Sequence, residues 1–285
     1  MQKERTNRVM EKLRRNEPVL VGTPTPFPSP KIPEMMGIVG YDCIWIDWEH
    51  QDLVDHDVFN MCLACRAAGT EPMVRVRKDT YWGYFRPLEM GATGLMVPHV
   101  IDASGARLAV RNSKFWPLGL RGMDGIEAPA LYGMMPMTEY MKWANENTFI
   151  CVQIEDHEAL PNIEEIFSVD GVDGIFVGPG DLSQSLGIPC QFDAPEMQRA
   201  FELVAKAAKK TGKWWGAPAG SPERMRELLE MGARFLAWGA AVIILTQGYS
   251  SIKKQFDETL ATWNSAAFAG KTAAQSRDKS DRADL

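Results

Sequence analysis

Side chains that can act as acids, bases or metal ligands stand at the ends of four apolar runs. They are Asp47, Glu49 and His50 after CIWI, Arg75 in EPMVRV, Gln153 and Glu155 in FICVQIE, and Asp181 after GIFVGPG. A single Asp or Glu at such a place is better explained as the cap of the following helix. A His, an Arg and a Gln-x-Glu together favour a shared site, because independent caps have no need for these residue types.

Glu155 and Asp181 place two hard oxygen donors at the ends of neighbouring runs. One or two carboxylates, completed by water and substrate, are common protein ligands of Mg²⁺ and Mn²⁺. His157 is the histidine that follows this motif, and we expect it to face solvent, so a zinc cluster is not predicted. The pair therefore indicates a site for a cation that prefers oxygen.

The segment GPGDLSQSLG adds a second feature next to Asp181. Gly178 and Gly180 allow the backbone to approach a ligand closely, and Asp181-Leu-Ser opens a helical turn. Amides at a helix N-terminus bind carboxylates or phosphates readily. A plain β-turn is the alternative interpretation of GPGD.

A repeated phrase indicates which elements position these residues: a Gly that closes a helical pattern, followed by a short apolar run. It occurs as GYDCIWIDWEH, GATGLMVPHV, GVDGIFVGPGD and GARFLAWGA, and further runs at 18–22, 71–76, 149–155 and 213–218 bring the predicted strands to eight. Eight strand–helix units predict an α/β fold, a (β/α)8 TIM barrel, in which the polar strand ends converge at one mouth. A doubly wound open sheet is the alternative. GTPTPFPSP, after the first run, carries no dinucleotide or P-loop fingerprint, which favours the barrel.

The ends of the chain differ from its middle. Val9, Met10 and Leu13 share a helical face, which predicts a structural N-terminal helix rather than a targeting segment. Residues 1–265 are predicted to form a single barrel domain. The segment 266–285 is small, polar and charged, which predicts a disordered tail.

Composition excludes several classes of partner. The formal net charge of the 285 residues is −6, so no basic field attracts nucleic acid. No run of about 18 apolar residues indicates a membrane span. Five cysteines are few and odd in number, which favours reduced thiols, with Cys62 and Cys65 buried as small apolar residues. We therefore expect a cytoplasmic protein without a nucleic-acid or membrane partner.

Six motifs in order resemble the HpcH/HpaI family, the metal-dependent pyruvate aldolases of the phosphoenolpyruvate/pyruvate barrel superfamily. They are GYDCIWIDWEH, MVRV, LEMGATGLMVPHV, WPLGLRG, VQIED and GVDGIFVGPGDLSQSLG. The resemblance covers about residues 18 to 250. It implies a class II lyase that reversibly cleaves a 4-hydroxy-2-oxo acid to pyruvate, or hydroxypyruvate, and an aldehyde.

The resemblance also assigns roles to individual residues. Glu155 and Asp181 hold a divalent metal, Mg²⁺, Mn²⁺ or Co²⁺, and Arg75 stabilises the enolate oxygen where charge develops. His50 acts through a water as the general base towards the aldol hydroxyl. Glu89 takes the place of the acid that orients this histidine, where the family often has Asp.

Further implications concern pyruvate and assembly. Gln153 and the amides around Gly180 and Asp181 help to hold the pyruvate moiety. Relatives form hexamers by exchanging a C-terminal helix, and ILTQGYSSIKKQFDETLATW is the segment that fits such a helix. We therefore expect a homo-oligomer.

Three alternatives remain open at this point. The same superfamily contains enzymes that decarboxylate oxaloacetate or cleave a CoA ester. A Schiff-base lysine would replace the metal, and Lys78, after the third run, is its candidate. A barrel that binds without turnover is suggested by Ala241, where the family often has an Asp, and by Glu89.

Overall fold

The computed structural model describes residues 6–78 and 80–280, with side chains up to residue 263. Eight parallel strands close into a barrel in which each strand pairs with its neighbours in chain order. The strands are β1 Val19–Thr23, β2 Cys43–Asp47, β3 Glu71–Arg75, β4 Gly94–Val97, β5 Phe149–Ile154, β6 Gly174–Val177, β7 Trp214–Pro218 and β8 Phe235–Ala240. The pairing of β1 with β8 closes the sheet, so the TIM barrel is confirmed and the open sheet is wrong.

Helices surround the strands as the Gly-closed patterns predict. They are α1 Arg8–Arg14, α2 Lys31–Val39, α3 Asp55–Ala68, α4 Tyr81–Glu89, α5 Ala103–Ser113, α6 Met137–Asn147, α7 Ile163–Phe167, α8 Pro179–Ser185, α9 Pro195–Thr211 and α10 Pro222–Glu230. Gly40 ends α2 in the left-handed conformation, with φ of 109°. Side chains on the outer face of the sheet, such as Leu95 and Ile150, pack against this helical layer.

The barrel interior is filled by large side chains in its lower half. The rings of Phe149 and Trp214 each contact Phe235, with centroids 6.0 Å and 5.0 Å apart. Gly94 and Gly174 begin their strands beside these rings, and a Cβ at either position would collide with Phe149 or Trp214. Both faces of these strands are buried, which explains their continuous apolar runs.

The predicted N-terminal helix is confirmed as α1. Val9, Met10 and Leu13 are buried and join the same cluster as the interior residues of the barrel. The Asn7 side chain caps the helix by accepting from the Met10 amide at 3.1 Å, and its amide group donates to the Thr93 carbonyl at 3.2 Å. Helix α1 therefore closes the end of the barrel at which the strands begin.

The helix α11, Ala241–Ser280, supplies a second unit that starts at Val242. Large apolar side chains are exposed at helical spacing in the described part of this unit, among them Ile252, Phe256, Leu260 and Trp263. Helical backbone continues to Ser280, whereas the sequence predicts disorder from residue 266, and residues 281–285 lie outside the described part. The predicted division at residue 265 stays a prediction.

Within the described residues, no helix combines the length and the apolar character needed to cross a membrane.

Candidate active site

Arg75 and Asp47 form a buried ion pair at the ends of β3 and β2. Arg75 donates from Nε to Asp47 Oδ1 at 3.0 Å and from Nη2 to Asp47 Oδ2 at 2.6 Å. Its Nε also lies 3.2 Å from Glu49 Oε2, and its guanidinium stacks on Trp45 at 4.9 Å from the ring centroid. The register of the two parallel strands places residues 47 and 75 side by side. The guanidinium is thus fixed at the mouth, as the sequence predicts.

His50 follows this pair in the loop after β2. Its backbone amide donates to Asp47 Oδ1 at 3.2 Å, as does that of Glu49. The imidazole is about half exposed, and its Nε2 lies 3.7 Å from Glu49 Oε2. His50 is therefore held at the mouth by its backbone and keeps a side chain that reaches solvent.

Glu89 does not meet His50 within this chain. It is the last residue of α4, in the outer helical layer, and its buried carboxylate accepts from Arg86 at 3.0 Å. Among the described residues, no hydrogen bond joins Glu89 to His50. The helix after β3 runs away from the mouth, so a residue at its end leaves the strand-end cluster. Within this chain Glu89 therefore pairs with Arg86, and its implied role of orienting His50 stays a prediction.

Glu155 is the most enclosed carboxylate of the mouth, with 1% of its surface exposed. Its Oε1 accepts from the His99 amide at 2.9 Å, and its Oε2 accepts from the side-chain amide of Gln153. Burial raises the pKa of Glu155 to about 7, against an ordinary value of 4.5. The folded chain thus holds a carboxylate whose ionised form is disfavoured by loss of water, although His99 and Arg75 act to lower its pKa.

Asp181 lies in the first turn of α8, directly beyond the end of β6. The amide of Gly178 donates to the Ile154 carbonyl at 3.0 Å, which fastens this turn to the end of β5. Asp181 and Gly180 are exposed to solvent, in contrast to Glu155. The two predicted metal ligands therefore stand on adjacent strand ends, one buried and one open.

The residues present fit a divalent cation that keeps part of its water shell. The described residues contain no group of three His, Cys, Asp or Glu side chains that could enclose a metal. Mg²⁺ and Mn²⁺ sites often use only one or two carboxylates. The buried acceptor Gln153 Oε1 also has no hydrogen-bond partner, whereas Glu49 Oε2 lies 3.2 Å from Arg75 Nε. The site therefore supplies an unsatisfied oxygen atom in addition to Glu155 and Asp181.

His99 is a site residue that the sequence reasoning missed. It follows β4 and adopts φ of 51°, a left-handed conformation that is uncommon for His. Its Nδ1 lies 3.0 Å from Asp156 Oδ2 and 3.6 Å from Glu155 Oε1, and its Nε2 lies 4.0 Å from Glu49. Partial burial opposes protonation, but Glu155 and Asp156 raise the pKa of His99. The available signal was its place at a strand end, in VPHV.

The remaining candidates have defined places. Lys78 donates to the His99 carbonyl, so its ammonium supports the loop after β4. His157 pairs with Ser185, and 55% of its side chain is exposed, which confirms that it faces solvent. Three of the methionines between β4 and β5 pack against Phe115 and Tyr140: Met135, Met137 and Met141.

Known proteins resemble this chain over most of its length. The family model described as HpcH/HpaI aldolase/citrate lyase matches residues 25–247. A 2-keto-3-deoxy-L-rhamnonate aldolase of Escherichia coli is 32% identical over 84% of this chain and 89% of its own. A 4-hydroxy-2-oxo-heptane-1,7-dioate aldolase of Klebsiella pneumoniae is 34% identical over 80% of this chain and 86% of its own. The crystal structure of an HpcH/HpaI aldolase from Desulfitobacterium hafniense has a TM-score of 0.83 at 29% identity, covering 87% of this chain and 96% of that one.

The chain belongs to the HpcH/HpaI aldolase/citrate lyase family. The resemblance found in the sequence is confirmed, and with it the prediction of a carbon–carbon lyase that acts on small molecules. Dependence on a divalent metal is a property of the family's aldolases.

Gly178→Ala is expected to damage the site more than the fold. A Cβ at this position would lie 2.6 Å from Glu155 Oε2 and 2.7 Å from Gln153 Nε2, so both side chains must move. We expect the Mn²⁺ dissociation constant to rise at least about tenfold and the free energy of unfolding to fall by about 1–3 kcal/mol. Electron paramagnetic resonance of free Mn²⁺ and urea unfolding measure the two effects. Gly105→Ala is the control, since its Cβ meets only ordinary contacts at 3.6 Å and beyond. Unchanged Mn²⁺ affinity in Gly178→Ala would contradict this account.

Proposed function

We propose that this protein is a metal-dependent aldolase that cleaves a 4-hydroxy-2-oxo acid to pyruvate, or hydroxypyruvate, and an aldehyde. The observation that carries the proposal is that a buried cation and a buried carboxylate lie at the same barrel mouth. Arg75 presents a fixed buried cation, and Glu155 presents a carboxylate whose pKa is raised by burial although the Nδ1 of His99 lies 3.6 Å away. A substrate anion suits the first and a divalent cation suits the second.

Glu155 and Asp181 are the residues that would hold the cation. A divalent metal supplies Lewis-acid stabilisation of the charge that develops on a 2-oxo acid during C–C cleavage. Gln153 Oε1 is unpartnered and buried beside Glu155, so it is available to bound water or substrate. By resemblance, the amides around Gly180 and Asp181, at the start of α8, would help to hold the pyruvate carboxylate.

Arg75 and His50 have separate proposed roles, charge stabilisation and proton removal. Arg75 directs guanidinium donors to the place where negative charge develops, and Asp47 fixes its orientation from both oxygens. Cleavage also requires removal of the proton from the aldol hydroxyl. Histidine commonly serves as the general base for such a step, and the half-exposed imidazole of His50 lies beside Arg75 and Glu49.

The same groups support a proposal for the substrate class and the metal. All ligand candidates are oxygen atoms, which supports Mg²⁺ or Mn²⁺, with Co²⁺ as a third possibility. Two relatives of this chain are named for the cleavage of a 2-keto-3-deoxy acid and a 4-hydroxy-2-oxo acid. We therefore propose a 2-oxo acid and an aldehyde as its partners.

We also propose that the chain acts as a homo-oligomer in the cytoplasm, a hexamer by resemblance to its family. The exposed apolar residues of α11 (Ile252, Phe256, Leu260 and Trp263) support this, because an isolated helix gains little by exposing them. All five cysteines are free, which suits a reducing compartment. Size-exclusion chromatography with light scattering tests the oligomer, and a monomer would contradict it.

Exchange of the C3 hydrogens of pyruvate in D₂O tests the proposed chemistry directly. We expect exchange with added Mn²⁺ or Mg²⁺, followed by NMR, and none with EDTA. Exchange that persists in EDTA would favour the Schiff-base alternative at Lys78. No exchange with any divalent metal would contradict the formation of a pyruvate enolate. Oxaloacetate supplied in parallel measures the decarboxylase alternative.

A further inference from the structure

The loop between β2 and α3 is held by Arg77, a residue outside the reacting groups described above. Its Nε donates to the Trp48 carbonyl at 2.8 Å. Its Nη2 lies 3.2 Å from the Leu53 carbonyl and 3.5 Å from that of Gln51. One planar guanidinium thus reaches three main-chain oxygens of a single six-residue loop, 48–53.

The same loop is anchored by an aromatic contact. The Arg77 guanidinium lies 5.0 Å from the ring centroid of Trp48, and the Trp48 indole donates to the Leu53 carbonyl at 3.0 Å. Trp48 and Leu53 are buried, with 1% and 4% of their surfaces exposed. Both ends of the loop are therefore fixed, and His50 lies between them.

We propose that Arg77 is a positioning residue that keeps His50 in place for removal of the aldol hydroxyl proton. This inference rests on the proposed function, in which His50 is the base. The His50 imidazole is half exposed, so its own packing does little to fix it. Its position depends on the loop backbone, which Asp47 holds at one side and Arg77 holds at the carbonyls.

Lysine cannot replace arginine in this role. A guanidinium presents five donors in a rigid plane, whereas an ammonium is a compact charge on a flexible stem. Arg77→Lys therefore keeps the charge and loses the simultaneous contact with three carbonyls. Arg75, two residues earlier, keeps its own pair with Asp47, so the anion-binding part of the site is retained.

Two reactions separate the positioning of His50 from general damage. Aldol cleavage requires loss of a hydroxyl proton, whereas decarboxylation of oxaloacetate starts from an acid without that hydroxyl. For Arg77→Lys we expect kcat for cleavage of a 4-hydroxy-2-oxo acid to fall about ten- to a hundredfold, because small misplacements of a catalytic group have effects of this size. We expect KM, oxaloacetate decarboxylation and Mn²⁺ affinity to stay within about twofold.

Arg234→Lys is the matched control. Arg234 also donates to three carbonyls, those of Asn16, Leu229 and Ala233, at 3.0, 3.2 and 2.8 Å. It precedes β8, at the end of the barrel opposite the mouth. This substitution removes a similar set of contacts and is expected to leave both reactions unchanged.

Hydrogen exchange of the amides in 48–53 reports the loop itself. Faster exchange there in Arg77→Lys, but not in Arg234→Lys, is expected. Equal losses of cleavage and decarboxylation in Arg77→Lys would overturn the proposal, as would unchanged cleavage. If the wild-type protein performs neither reaction, the proposed function fails, and unaltered amide exchange would separately show that Arg77 does not order the loop.

Discussion

Glu155→Gln is expected to remove metal binding and to reduce metal-dependent cleavage by at least about a thousandfold. The loss of one Lewis-acid site is worth several kcal/mol of transition-state stabilisation, and each 1.36 kcal/mol is about a factor of ten in rate. Isothermal titration with Mn²⁺ and steady-state pyruvate release measure the two effects. Glu158→Gln serves as the control, because Glu158 is a nearby carboxylate with 58% of its side chain exposed. Normal Mn²⁺ binding by Glu155→Gln would contradict the assignment.

In the absence of metal, the same substitution is expected to stabilise the folded protein. The pKa of Glu155 is about 7 in the folded chain and 4.5 ordinarily, so the folded state binds the proton more tightly. The contribution of Glu155 to the free energy of unfolding therefore falls by about 3 kcal/mol in total as the pH rises from about 4.5 to about 7. A neutral glutamine does not ionise and escapes this loss.

Urea unfolding in EDTA is the measurement for this pH effect. At pH 8 the Glu155→Gln variant is expected to be more stable than wild type, and the difference should shrink towards zero near pH 4.5. A wild-type protein that gains stability over this interval relative to the variant would contradict the raised pKa.

Arg75→Lys is expected to lower kcat by about a hundred- to a thousandfold, the usual cost of losing one preorganised donor to a developing oxyanion. Lysine keeps the positive charge but cannot bind both oxygens of Asp47, so the direction of the charge is lost. Mn²⁺ affinity should change little. Arg199→Lys, on the exposed surface of α9, is the control. A variant with normal kcat and a raised KM would instead indicate that Arg75 only binds the substrate.

The strands and the mouth could be predicted because their signals are local. Gly40 ends a helix with positive φ, and the run after it is buried on both faces, so each junction is readable within a dozen residues. Arg75 and Glu155 were predictable for the same reason, since a strand end determines which end of the barrel a residue occupies. Closure of the sheet was not readable, because the pairing of β1 with β8 joins the two ends of the domain.

The omissions concern contacts that a motif does not contain. Within this chain Glu89 binds Arg86, three residues earlier, and the resemblance could not show this pairing. His99 acquires its importance from Glu155 and Asp156, more than fifty residues later. Arg77 binds main-chain carbonyls of an earlier loop. Every residue has such a carbonyl, so the residue types of the loop do not indicate this contact.

The filled interior of the barrel bears on the order in which the two products of the proposed reaction leave. Phe149, Trp214 and Phe235 fill the axis below the site, and α1 covers the end beneath them. Because the axis is filled, we expect both products of the proposed reaction to leave at the mouth. We expect the fragment that Glu155, with 1% of its surface exposed, would help to hold to depart after the aldehyde. Product inhibition would then show pyruvate competing with the aldol substrate, and the aldehyde inhibiting without such competition.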